Sequence, residues 1–113
     1  PARHADLWSG VGLAAVYAGG RPADDLVTLV HCAGPHRPHL AQGATFAAKA
    51  RVAAGHRDAT TELAVDVLAG CGLTEAADLT DHALAAVAMD GTVDAYERWR
   101  SLIRDALPVA GPC

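Results

Sequence analysis

"HLAQGATFAAKARVAAG", residues 39–55, decides the fold class of this chain. Seven of its seventeen residues are alanine, which loses no side-chain entropy in a helix, and β-branched or aromatic residues are few. Pro38 stands just before it, in a first turn that tolerates a missing N–H, and Gly55 closes it, where a left-handed cap residue is expected. The same punctuation recurs outward along the chain. Gly20, Gly34, Gly70 and Gly91 each follow another helix-like segment, and Pro22 opens one as Pro38 does. The pattern predicts helices over 4–18, 23–33, 39–54, 60–69, 75–89, with Thr80 as a candidate break, and 93–107. Connections this short make consecutive helices antiparallel neighbours. The expected fold is therefore all-α: about six short antiparallel helices joined by Gly/Pro turns, arranged as a bundle or an array of helical hairpins.

The totals narrow the function classes. A chain of 113 residues has room for one domain, which would bury roughly two-thirds of its unfolded surface. With 51% hydrophobic and 19% charged residues and a net charge of -4, it is neither a disordered acidic tail nor a basic nucleic-acid binder. Cys32, Cys71 and Cys113 cannot all pair and form no CxxC unit, so reduced thiols in a cytoplasmic protein are expected. The longest apolar run, Val11 to Ala18, is far short of the roughly 20 residues that span a bilayer. Neither a membrane segment nor a signal peptide is expected.

The first and last helices read differently. In the last, Tyr96, Trp99, Ile103, Ala106 and Leu107 fall on one face, with Arg98, Ser101, Arg104 and Asp105 mostly opposite and Asp94 paired four residues ahead of Arg98. In the first, Leu7, Trp8, Val11, Ala14, Ala15 and Ala18 form one face, yet Leu13, Val16 and Tyr17 occupy much of the other. A helix apolar all round is normally buried all round, so neighbours from an upstream region or a partner subunit are expected. Gly10 and Gly12 within it each cost up to about 1 kcal/mol relative to alanine, a penalty that close approach of another helix would offset. The chain also begins with Pro1 rather than methionine. The start is therefore expected to be either processed or cut from something longer.

Candidate chemistry is concentrated in three places. "HCAGPHRPHL", residues 31–40, offers Cys32, His36 and His39 as zinc-type ligands, but two prolines stiffen it and no second cluster follows. The favoured reading is a helix joint, with no metal. On the alanine-rich helix, Gln42, Thr45 and Lys49 share a stripe that is either its wet face or the lining of a ligand cleft, where the Lys49 ammonium would hold a carboxylate or phosphate. Arg51 projects into the apolar arc of that helix and requires a partner, with Asp66, Glu62, Asp24, Asp25 and Asp6 as the carboxylates available. Glu62 and Asp66, four apart, are ordinary for a solvated helix, and Ser9 lacks a GxSxG elbow. With no GxGxxG, P-loop or HExxH present, nothing selects an enzyme class or calls for a cofactor.

Two longer stretches carry a resemblance. "DLWSGVGLAAVYAGG", residues 6–20, and "AGPHRPHLAQGATFAAKAR", residues 33–51, resemble the C-terminal part of an uncharacterised bacterial family encoded alongside enediyne polyketide synthase genes, mainly in actinobacteria. "YERWRSLIRDAL", residues 96–107, is weakly similar to that family's end. Members of the family are longer than this chain, with a substantial region ahead of the position of Pro1, so the resemblance implies that the chain is a C-terminal fragment of a longer protein. The resemblance implies a part in making, carrying or tolerating an enediyne or related polyketide product, and it brings no catalytic residues with it.

The resulting expectation is an accessory biosynthetic protein that binds a hydrophobic polyketide, with Trp8, Tyr17, Gln42, Lys49 and Arg51 as candidate contacts. The alternative is a protein-interaction scaffold that docks a biosynthetic enzyme through the first helix. A metal-dependent enzyme built on Cys32, His36 and His39 ranks last.

Overall fold

In a computed structural model the structure describes residues 2–55, 58–88 and 95–107, and these are helical with no strand among them. Six α-helices follow one another: α1 (Ala2–Ala18), α2 (Ala23–Ala33), α3 (Arg37–Ala53), α4 (Ala59–Ala69), α5 (Leu73–Ala88) and α6 (Ala95–Ala106), with a single 3₁₀ turn (Gly34–His36) between α2 and α3. No helix among the described residues is long and apolar enough to cross a membrane.

The local stops and starts are chemical. Gly70 takes the left-handed conformation at φ 76° and its N–H bonds the Asp66 carbonyl, ending α4. Asp58 opens the same helix by accepting the Thr61 N–H at 2.8 Å, and this backbone bond, reinforced by the Thr60 hydroxyl, pulls its carboxyl down to about 2. α3 begins two residues earlier than the sequence predicts, because the 3₁₀ turn runs straight into it with Pro38 in its first turn. Residues 31–40 are thus a helix joint, in which Arg37 Nε returns 3.1 Å to the Val30 carbonyl near the end of α2. Thr80 does not break α5. Its hydroxyl bonds back to the Ala77 carbonyl at 2.7 Å while its own carbonyl accepts the Trp99 indole N–H at 2.9 Å, fixing α6 against α5. Asp94 and Gly91 lie outside the described residues.

α3 is the central element, packed by all five other helices. From Leu40 to Thr45 every side chain is buried, and Ala47 and Ala48 continue the run. Alanine makes this possible, since a helix with short side chains all round accepts neighbours on every side. The closest neighbour is α1. A Cβ added at Gly12 would collide with the Leu40 carbonyl oxygen and come within 3.0 Å of the Ala44 nitrogen. A Cβ added at Gly43 would collide with the Ser9 carbonyl oxygen and lie 2.7 Å from its carbon. Two helix backbones therefore touch at reciprocal glycines, which explains Gly12 as the sequence suggested but with a partner inside the chain. Gly10 meets nothing.

Two expectations are corrected here. Val16 is fully buried, so the face of α1 that carries it is covered by α3, α1's main neighbour, within these residues. Leu13 and Tyr17, by contrast, are 37% and 42% exposed. The helix buried all round is α3, and α1 lies on the outside of the body. Nor do consecutive helices all pack: α1 and α2 are joined by a short turn yet make no substantial contact, because α2 leans on α4 and α3 instead.

Candidate functional site

Gln42 is a polar side chain at which three helices meet. It is fully buried, and so is Thr45 one turn along, so the stripe they share with Lys49 is wet only at its Lys49 end. Gln42 Nε2 donates to Ser9 Oγ at 2.9 Å, and its Oε1 accepts from Arg100 Nε at 3.2 Å and from an Arg104 terminal nitrogen at 2.9 Å. Arg100 reaches on to Asp6 at 3.2 Å and Glu97 at 3.3 Å, and Arg104 reaches Glu97 at 2.9 Å. One amide thereby joins α1, α3 and α6. Arg104, read from the sequence as lying opposite the packed face of α6, turns inward because Gln42 and Glu97 satisfy it.

His39 borders this network. Its pKa is lowered, first by burial and then by the Arg104, Arg100 and His36 charges, with Glu97 opposing. Its Nδ1 is buried without a partner, and its ring stands edge-on to His36 at 6.1 Å, with His4 a further 6.2 Å beyond. The sign of the consequence is definite. In the unfolded chain His39 takes its proton near 6.5, whereas in the fold it does so only at lower pH, so stability is full above pH 6.5 and declines as pH falls through the window below it. The melting temperature is expected to drop as pH falls below 6.5, with a shallower slope in His39→Gln, measured by circular dichroism.

The other residues singled out from the sequence go elsewhere. Lys49 pairs with Asp81 on α5 at 2.8 Å, in a solvent-exposed bridge. Arg51 pairs with none of the five carboxylates considered for it. It donates at 2.8 Å to the Tyr17 carbonyl near the end of α1, its Cζ lies 5.3 Å from the centre of the Tyr17 ring, and its Nε is buried without a partner. Its charge also contributes to holding the Asp58 carboxyl down. Trp8 packs at the edge of the core. Of the five candidates the fold thus brings Tyr17 and Arg51 together, while Lys49 pairs with Asp81 and Gln42 belongs to the network with Ser9, Arg100 and Arg104. Cys32 is exposed, and among the described residues no group of three or more His, Cys, Asp or Glu side chains is placed to hold a metal ion.

Surface hollows among the described residues include two of note. One, of about 210 Å³, opens where α1 and α2 part and is lined by Val11, Ala14, Ala15, Ala18, Leu29 and Arg21. The other, of about 280 Å³, lies between α5 and α6 and carries Glu75 and Cys71. Burial and the nearby Glu75 and Asp66 push the Cys71 thiol up, which makes it a poor nucleophile. The first hollow is apolar with a single cation at its edge, which suits an apolar chain ending in an acid. The second sets a carboxylate toward any such ligand. Sequence reasoning missed the first hollow because its walls come from two helices that were expected to close on each other.

Compared with known proteins, residues 1–107 match the model of a family described as a protein of unknown function (DUF1702). No curated protein and no solved structure matches the chain.

Proposed function

We propose, given that the chain belongs to the DUF1702 family, that it is a cytoplasmic accessory protein of enediyne or related polyketide biosynthesis which binds a hydrophobic intermediate or product. The resemblance of residues 6–20 and 33–51 to proteins encoded beside enediyne polyketide synthases supports the pathway. The observation that carries binding is the α1–α2 hollow, with five apolar residues and Arg21 as its lining. At about 210 Å³ it is smaller than the roughly 300–1,000 Å³ of sites that engulf drug-sized ligands. It therefore takes one end of an extended chain. Arg21 would pair with a terminal carboxylate.

The test is titration with cis-parinaric acid, a conjugated polyene acid whose fluorescence rises on leaving water. The expected result is a saturable rise that a polyketide extract competes away and that Ala18→Phe, which fills the hollow, removes. No rise up to the solubility limit, or a rise unchanged by Ala18→Phe, overturns the reading.

A further inference from the structure

We infer that the outer face of α1 is a contact between two copies of this chain, paired antiparallel about a two-fold axis near Gly10 and Ala14. The face is apolar and open: Leu7 is 58% exposed, Val11, Leu13 and Tyr17 are exposed as well, and the space beside Gly10 is empty. At about 100° per residue, Gly10 and Ala14 run down the middle of this face. Leu7, Val11 and Ala18 lie along one flank, and Asp6, Leu13 and Tyr17 along the other.

Charge selects both the occupant and its direction. Asp6 is 68% exposed near one end of the face, and Arg51 lies over the Tyr17 ring near the other. A two-fold axis across the helix keeps each flank on its own side and reverses its direction. Asp6 of the second copy then arrives beside Tyr17 and the Arg51 guanidinium, and Leu7 of the second copy comes over Ala18. A parallel pair would instead set each flank against the opposite one, which keeps Asp6 at its own end, far from the Arg51 guanidinium, and aligns the two helix dipoles. In the antiparallel pair the second copy also supplies a wall to the α1–α2 hollow, through Leu7 at Ala18. The pairing does not depend on any ligand, and its test is made without one.

A single pair of helices buries less than the roughly 1,200–2,000 Å² of a stable interface, so association is expected to be weak and visible only across about 10 µM to 1 mM. Sedimentation velocity of the 113-residue chain over that range is expected to show a shift from monomer to dimer. Gly10→Leu, at a position where an added Cβ meets nothing within one chain, is expected to abolish the shift while leaving the melting temperature unchanged or raised, which excludes misfolding as the cause. In a background with Cys32, Cys71 and Cys113 replaced by serine, Leu13→Cys is expected to oxidise to a covalent dimer, because the two copies of residue 13 flank the axis. Leu7→Cys is expected to stay monomeric, its copies lying about 15 Å apart along the helix direction. A monomer at every concentration, a dimer that survives Gly10→Leu, or cross-linking through Leu7→Cys overturns the inference.

Discussion

Gly12→Ala is expected to unfold or nearly unfold the domain, at a cost of about 3 kcal/mol or more. The new methyl group would meet the Leu40 carbonyl oxygen, which belongs to the backbone of α3 and cannot rotate away as a side chain would. Relief requires α1 to separate from α3, the largest helix contact in the molecule, and that would uncover Val16 and Ala15. Gly43→Ala presses on the same crossing from the other side and is expected to behave alike. Gly10→Ala is the control, because it stands in the same helix with open space around it. It is expected to stabilise by up to about 1 kcal/mol through helix propensity alone. Urea unfolding followed by circular dichroism ranks the three. Equal midpoints for Gly12→Ala and Gly10→Ala would mean that the two helices do not touch at their backbones.

Gln42→Leu is expected to cost about 3 kcal/mol, although leucine is nearly the same size and the site is fully buried. The loss comes from the groups left behind. Arg100 and Arg104 would each lose the amide oxygen that accepts from them, and Ser9 would lose its donor. Among the carboxylates that remain with the two guanidinium groups, Glu97 and Asp6 are themselves well exposed. α6 should loosen first, since both arginines belong to it. Trp99 reports that directly: its ring packs 4.8 Å from Phe46 and its indole N–H holds the Thr80 carbonyl. In a Trp8→Phe background the emission of Trp99 is expected to shift to the red at lower urea concentration than the loss of helix signal. Lys49→Ala supplies the contrast. It removes an ion pair in open solvent and is expected to change stability by less than about 1 kcal/mol. If Gln42→Leu proves as mild as Lys49→Ala, the network contributes nothing measurable to holding α6.

Much of the candidate chemistry was legible residue by residue and illegible as an arrangement. Gln42 and Arg51 both stand out in the sequence as polar groups on an alanine helix. Their partners do not, because Arg100 and Arg104 are 58 and 62 residues away from Gln42, and the Tyr17 carbonyl is 34 away from Arg51. No local periodicity links such positions, and a backbone carbonyl as the partner of an arginine leaves no trace in residue type. His39 reads from the sequence as a candidate metal ligand, whereas in the fold burial and the charges of two arginines lower its pKa.

Alanine, glycine and proline by themselves determined that the chain is helical and where most of the helices stop, because helix propensity and capping act within a few residues. Only the tertiary structure decided which helix occupies the centre. α1 and α3 are both rich in small apolar residues, and neither has a strong polar face to direct it outward. The choice fell to the non-local fit of Gly12 against α3 and of Gly43 against α1. That fit lets α3 be enclosed by its neighbours and leaves Leu7, Leu13 and Tyr17 facing outward on α1.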